Sequence, residues 1–260
     1  MLVLIKGAGD IATGIALRLY RAHFKVVMTD IAAPTAIRRT VCFSQAVVEG
    51  EAEVEGVHAV HAHNVEEALA ATDQNQIAVC VDPKAEIAKT LMPNALVDAI
   101  LAKKNIGTKI TDAPIVIAVG PGFTAGVDCH AVIETQRGHY LGRVLTHGSA
   151  APNTGIPGNI GGYTSERLLR APTDGVFEQC LEIGAQVKAG DIAGIVDGQP
   201  MICEIDGILR GILRTGTPVH KGMKSGDVDP RCELAHCFTA SDKALAVGGG
   251  ILEALLHFSL

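Results

Sequence analysis

Residues 2–5 are a short, wholly apolar run. The stretch Gly7-Ala8-Gly9-Asp10 that follows gives way to apolar residues at helical spacing, Ile11, Ile15 and Leu19. This pattern predicts a strand, a tight turn and a helix. Lys25-Val26-Val27-Met28-Thr29-Asp30 is a second buried-strand pattern; it ends in an acid about 20 residues beyond the glycines, the spacing of a dinucleotide-binding βαβ unit. The alternation continues with a strand over 57–62, a helix over 65–71, a strand over 77–81, a long helix over 85–102 and a strand over 115–119. Residues 131–145, with Arg137-Gly138 in the middle, read as a hairpin. Strands and helices alternating at these lengths predict an α/β domain over residues 1–165, Rossmann-like, with a mostly parallel sheet.

Ligands of such sheets bind beyond the carboxyl ends of the strands, where Gly7, Gly9, Asp30, Asp82, Gly120 and Gly122 are expected to converge. Gly7 permits the tight turn, Gly9 lets the backbone approach a phosphate, Ala12 fills the third small position, and the helix opening at Asp10 offers N–H groups and a positive dipole end. Asp30 suits ribose hydroxyls, and the guanidinium groups of Arg38 and Arg39 suit a phosphate. The expected cofactor-binding set is therefore Gly7, Gly9, Asp10, Ala12, Asp30, Arg38, Arg39, Gly120 and Gly122. Close strand–helix packing explains Gly9 and Ala12 as an alternative, a strand-end cap explains Asp30, and a solvated helix face explains the arginines.

From Asp174 the chain repeats itself at a constant offset of 32 residues. Asp174-Gly175-Val176 matches Asp206-Gly207-Ile208, Gly184 matches Gly216, Val187 matches Val219, and Val196-Asp197 matches Val228-Asp229. Each copy is too short to bury its own core, so the two must pack as one pseudo-twofold β unit over 166–235. The wording of the repeat resembles biotinyl and lipoyl carrier domains, which implies a small β sandwich, a barrel-sandwich hybrid. The hairpin that presents the modified lysine in those carriers reads Asp197-Gly198-Gln199-Pro200-Met201-Ile202-Cys203-Glu204 here and has no lysine. A role in packing or docking is therefore expected. Residues 236–260, two helical stretches about Gly248-Gly249-Gly250, are too apolar to be left exposed and are expected to pack back on the first domain.

Composition narrows the chemistry. Of 260 residues 48% are apolar and 19% charged, which is the composition of a folded globule. Lys and Arg number 22 against 28 Asp and Glu, and aromatics are 3%, so nucleic acid is not an expected partner. No apolar run reaches the ~18 residues of a membrane span, no signal-peptide core follows Met1, and the Cys count of 7 is odd; a cytoplasmic protein with reduced thiols is expected, without a membrane partner. Gly120-Pro121-Gly122-Phe123-Thr124-Ala125-Gly126-Val127-Asp128-Cys129-His130 is the densest cluster of reactive types and makes Cys129 the candidate catalytic thiolate. Residues adjacent in a strand point to opposite faces, however, so Cys129 and His130 need not meet. Cys232 and Cys237 lack the second ligand pair of a zinc site, and no metal site is expected. Hydrolase elbows, P-loops and His-Glu-x-x-His are absent.

The segments Lys6 to Gly14, Pro34 to Val41, Gly120 to His130, Asp227-Val228-Asp229-Pro230-Arg231, and Ser241-Asp242-Lys243 with Gly248 to Glu253 resemble the YqeB family along nearly the whole chain. The resemblance implies an accessory role in the maturation of selenium-dependent molybdenum hydroxylases. The first half is also similar to the nucleotide-binding-like half of XdhC proteins, which bind molybdenum cofactor and assist its sulfuration. Expected partners are therefore a molybdenum hydroxylase or its maturation machinery, and an anionic small molecule. The expected ligand is molybdenum cofactor or a dinucleotide, held at the glycine turn, with Cys129 assisting sulfur or selenium insertion. An NAD(P)-dependent oxidoreductase and a noncatalytic scaffold that docks a hydroxylase subunit are the alternatives; whether the chain is an enzyme stays open.

Overall fold

The computed structural model describes residues 1–260 and divides into two compact units. The first comprises Met1–Pro34, Cys42–Thr154 and Ala240–Leu260, the second Thr35–Val41 and Gly155–Thr239.

In the first unit β1 (Leu2–Lys6) runs through the glycine turn into α1 (Asp10–Arg21) and β2 (Lys25–Asp30). Then come α2 (Gln45–Glu49), β3 (Glu51–Val54), β4 (Val57–His61), α3 (Val65–Asp73) and β5 (Ile77–Val81). A one-turn α4 (Ala88–Leu91), β6 (Ala95–Asp98), β7 (Ile115–Val119), β8 (Ala131–Ile133) and β9 (Val144–Leu145) complete the sheet. Its nine strands lie in the order β3-β4-β5-β2-β1-β6-β7-β8-β9, parallel from β4 to β8 and antiparallel at both edges. With the β3–β4 edge hairpin set aside, the strands from β5 to β8 follow chain order 3-2-1-4-5-6, that of doubly wound nucleotide-binding sheets. The central strands are buried on both faces, which is why they read as unbroken apolar runs.

Two expectations are corrected here. The helix expected over 85–102 is only α4, followed by Met92 in the left-handed region (φ 48°) and by β6. Pro93 ends the helical turn, and Ala95-Leu96-Val97 satisfies its backbone better against β1 and β7 than a helix on the surface would. The C-terminal segment is not broken at its glycines. It forms one helix, α5 (Asp242–Ser259), because Gly248 and Gly250 are contact points: a Cβ on Gly248 would lie 2.9 Å from the Gly14 carbonyl, and one on Gly250 would overlap that of Gly142. Helix α1 meets α5 through Gly14, whose Cβ would sit 2.5 Å from that of Ala244. No helix is long and apolar enough to cross a membrane.

The second unit contains β10 (Leu168–Arg170), β11 (Gly175–Gln179), β12 (Gln186–Val187) and β13 (Ile192–Val196), then β14 (Gln199–Ile202), β15 (Gly207–Ile212), β16 (Pro218–Val219) and β17 (Lys224–Asp229). They form two four-stranded antiparallel sheets, β10-β17-β15-β12 and β14-β13-β11-β16. The offset of 32 residues carries β10–β13 onto β14–β17, and this exchange converts the strand order of one sheet into that of the other. Asp197 (φ 46°) and Gly198 (φ 75°) make the two-residue turn that joins the copies. Phe177, Val187, Val196, Leu209 and Val228 are buried in the shared core. Residues 35–41 belong to this unit as a strap: the Ile37 carbonyl accepts from Ile212 N–H at 2.8 Å.

Candidate functional site

Parallel register sets the carboxyl ends of β1, β2, β6, β7 and β8 in one row, with Lys6 opposite Thr29 and Asp98, and Val119 opposite Ile133. Gly7 leaves β1 with φ +98° and donates to the Thr29 carbonyl at 2.8 Å; a Cβ there would lie 3.0 Å from the Ala99 carbonyl. Gly9 is the N-cap of α1 in an extended conformation, and a Cβ on it would meet nothing within 4 Å. Space is therefore open in front of the first turn of α1, where N–H groups and the helix dipole favour negative charge. Asp10 turns one carboxylate oxygen back on its neighbour, accepting from Ile11 N–H at 2.8 Å, while Ala12 is buried.

Asp30 reaches into the same turn. Its Oδ2 accepts from Ala8 N–H at 2.9 Å and its Oδ1 from Ile31 N–H at 2.8 Å, so the carboxylate braces the glycine turn from the end of β2. Burial pushes its pKa up from the ordinary carboxylate value, against the pull of these two hydrogen bonds.

A buried cluster that the sequence reading missed lies behind the turn. Lys6, 5% exposed, donates from Nζ to Thr108 Oγ1 at 2.6 Å; Thr108 donates to Asp98 Oδ2 at 2.6 Å, and Nζ stands 3.6 Å from that same oxygen. The one signal available was a lysine directly before Gly7 at the end of an apolar strand.

Several expected residues take other parts. Gly120 and Gly122 both have positive φ (+78° and +106°), but a Cβ on Gly120 would meet Thr135 Oγ1 at 2.8 Å and one on Gly122 the Lys104 N at 2.6 Å. These glycines serve chain-to-chain packing and leave no room for a ligand against them. Cys129 is fully buried, and burial together with the Asp128 charge pushes its thiol up to about 12. Both effects disfavour the thiolate expected there. His130 faces elsewhere, its Nδ1 accepting from Val116 N–H at 2.9 Å. Arg38 is 6% exposed and donates to the carbonyls of His236 and Thr239 at 2.9 and 3.0 Å; Arg39 donates to the Ile212 carbonyl and Gln179 Oε1 at 2.9 and 2.8 Å. Both are thus tied into the second unit, and neither stands on a solvated helix face.

Charged side chains gather at the start of α5. Ser241 caps α5 by accepting from Ala244 N–H, and Asp242 takes a two-point hydrogen bond from Arg137 at 2.7 and 2.9 Å. Lys243, next in the chain, is half-buried. Burial lowers its pKa, the Arg137 charge lowers it further with a smaller contribution from Lys103, and Asp10 and Glu134 oppose them. A separate cavity of about 470 Å3 at the ends of β4 and β5 is lined by His61, His63, Cys80, Asp82 and Ile87, and no residue of the glycine turn borders it. No group of His, Cys, Asp and Glu side chains is arranged to hold a metal ion.

Fold and turn together define an α/β protein with a mostly parallel sheet and a strand-end glycine turn, joined to an antiparallel β unit. No family model matches the chain. Over 255 residues it is 51% identical to the uncharacterized protein YqeB of Escherichia coli (strain K12), matching 98% of this chain and 47% of that protein, which supports the resemblance to the YqeB family. The chain thus spans about half the length of this curated relative. Among solved structures, an aspartoacylase family protein from Mesorhizobium loti is 14% identical over 87% of this chain and 83% of its own, with a TM-score of 0.26. A succinylglutamate desuccinylase/aspartoacylase from Rhodobacter sphaeroides is 15% identical over 87% and 84%, also with a TM-score of 0.26. Likenesses so slight carry no argument.

Proposed function

We propose that the first unit is a Rossmann-like domain that binds an anionic, phosphorylated ligand at the Gly7–Asp10 turn, and that the chain acts as an accessory in the maturation of selenium-dependent molybdenum hydroxylases. The observation that carries the binding reading is the open space in front of Gly9, at the start of α1, in a sheet of doubly wound strand order. The residues fit a pyrophosphate-bearing group: Gly9 and the first-turn N–H groups would hold the phosphates, and Asp30 would keep the turn in shape. A bound molybdenum cofactor would supply the metal and its dithiolene sulfurs, whereas a dinucleotide would supply hydride transfer; both would present phosphate to this turn, as a pyrophosphate where the pterin carries a nucleotide. The maturation reading rests on the resemblance to the YqeB family.

The second unit is read as a barrel-sandwich hybrid like that of biotinyl and lipoyl carriers, on the strength of its pseudo-twofold pair of sheets. Its Asp197-Gly198 turn has no lysine to modify, which favours docking of a hydroxylase or its maturation machinery over a swinging arm.

The test is to co-express a selenium-dependent molybdenum hydroxylase with and without this chain. Hydroxylase activity should depend on the chain and should be lost with Gly9→Val. A hydroxylase indifferent to the chain would refute the maturation reading. Full complementation by Gly9→Val would favour a scaffold, and hydride transfer from reduced nicotinamide to an acceptor would favour the oxidoreductase.

A further inference from the structure

The cavity at the carboxyl ends of β4 and β5 lies apart from the glycine turn and has a chemistry of its own. Parallel pairing holds the two strands together as far as His61 and Val79, and the Ala62 N–H still donates to the Val79 carbonyl at 2.9 Å. Beyond that point the chains part. Asn64 caps α3 by accepting from Glu67 N–H at 2.8 Å, while Asp82 Oδ2 accepts from Ile87 N–H at 2.7 Å across a bend at Ala85 (φ 55°). The space left between them, about 470 Å3, falls within the ~300–1,000 Å3 of small-molecule pockets, at the strand ends where α/β sheets hold ligands.

Its lining is selective. Ala62, Val65, Cys80 and Ile87 make an apolar wall, and the His61 and His63 rings stand 4.3 Å apart between centroids, tilted by 53°. Burial, with His63 beside it, holds the His61 pKa below its ordinary value, so that ring is neutral at pH 7; burial pushes the Cys80 thiol up to about 11. No Lys or Arg borders the cavity, and the formal charges on its lining are the carboxylates of Glu66 and Asp82. Phosphate is repelled here, the reverse of what the glycine turn favours. The side chains are not arranged to hold a metal ion. Asp82 gives Oδ2 to Ile87 and keeps Oδ1 without a protein partner. A carboxylate oxygen beside an apolar wall and two imidazole rings suits a flat ring that carries an N–H donor.

We propose that this cavity is a second binding site, for a heteroaromatic ring that bears an amino group and no phosphate: the ring lies on the His61–His63 pair and the apolar wall, and its amino N–H donates to Asp82 Oδ1. Stacking on imidazole and burial of the ring supply affinity, and the charge-assisted hydrogen bond supplies selectivity. Aminopurine nucleosides have this chemistry, with the amine beside an acceptor nitrogen in adenosine and beside a ring N–H in guanosine. The site does not depend on the reading of the glycine turn.

Calorimetric titration of the full chain with adenosine and guanosine, and with their amine-free counterparts purine riboside and inosine, tests the proposal. At least one aminopurine should bind, and its amine-free counterpart should bind at least about tenfold more weakly. Asp82→Asn keeps an oxygen for Ile87 and turns an NH2 toward the ligand, so it should erase that preference. Thr90→Trp, on the exposed rim, should block nucleoside binding. Saturating inorganic pyrophosphate should leave nucleoside affinity unchanged, since phosphate has no seat in the cavity. Binding by neither aminopurine, or equal binding with and without the amine, would overturn the proposal. So would binding that Thr90→Trp leaves intact or that pyrophosphate competes away; only the last would implicate the Gly7–Asp10 turn, and the others leave the reading of that turn as it stands.

Discussion

Glycines and cysteines that look alike in the sequence have unlike surroundings in the fold. Gly7 and Gly9 were legible because a strand, a turn, a helix and a distal acid follow each other within 30 residues, and local geometry decides their roles. Gly122 and Cys129 were not, because what presses on them comes from elsewhere: the Lys104 backbone against Gly122, and a closed core around Cys129. Lys6 stayed hidden for the same reason, since Thr108 and Asp98 reach it only through tertiary structure. Thiol chemistry checks the cysteine assignments. With a mild thiol reagent on the native protein, exposed Cys180 and Cys232 should react quickly, whereas Cys42, Cys80, Cys129, Cys203 and Cys237 should react only as fast as the protein opens. Burial also holds Cys80 and Cys203 protonated, up to about 11. Rapid labelling of Cys129 would contradict its burial.

Strands were easier to read than helices at the level of elements. Buried parallel strands announce themselves as short apolar runs, and β5 and β7 fall on the residues expected. The apolar stretch around α4 has helical spacing too, and only Pro93 with the pairing of β6 decides against a helix. The glycines of α5 read as a break because the packing partner, Gly14 of α1, lies more than 200 residues away in the chain. That contact should be sensitive: Gly14→Val should destabilise the protein by about 2 kcal/mol or more in urea unfolding, through overpacking against Ala244, whereas Gly9→Val should not.

In the second unit Asp227 and Asp229 sit buried among arginines. Arg167 and Arg210 reach Asp227 at 2.7 and 2.5 Å, and Arg210 and Arg231 reach Asp229 at 3.1 and 2.6 Å. Burial alone would raise Asp229, but the Arg231 hydrogen bonds and the charges of Arg210 and Arg231 outweigh it and bring it down to about 2, from 3.8. A carboxylate depressed in the folded state stabilises above its unfolded value and loses that contribution as pH falls through its folded value. Unfolding free energy should therefore drop between pH 3.8 and about 2, and Asp229→Asn should remove roughly 1.5–3 kcal/mol at pH 7 by taking a buried charged acceptor away from Arg210 and Arg231. A variant as stable as wild type at pH 7 would contradict the role of this network.

For the molecule as a whole, the duplication is the part of the architecture that the sequence carries most openly. A repeat at fixed offset forces two equivalent halves to share one core, and the strand orders of the two sheets exchange under it. The strap over 35–41 carries no such signal. Its place in the second unit depends on hydrogen bonds to Ile212 and Gln179, more than 130 residues away. At this scale the Gly7–Asp10 turn is proposed as a seat for a phosphorylated ligand and not merely a packing joint. The direct measurement is native mass spectrometry of the desalted protein, wild type and Gly9→Val, each made in a host that synthesises molybdenum cofactor. The account predicts an adduct of pterin-pyrophosphate or nucleotide mass on wild type that is absent from an equally folded Gly9→Val; the same adduct retained on both proteins would contradict it.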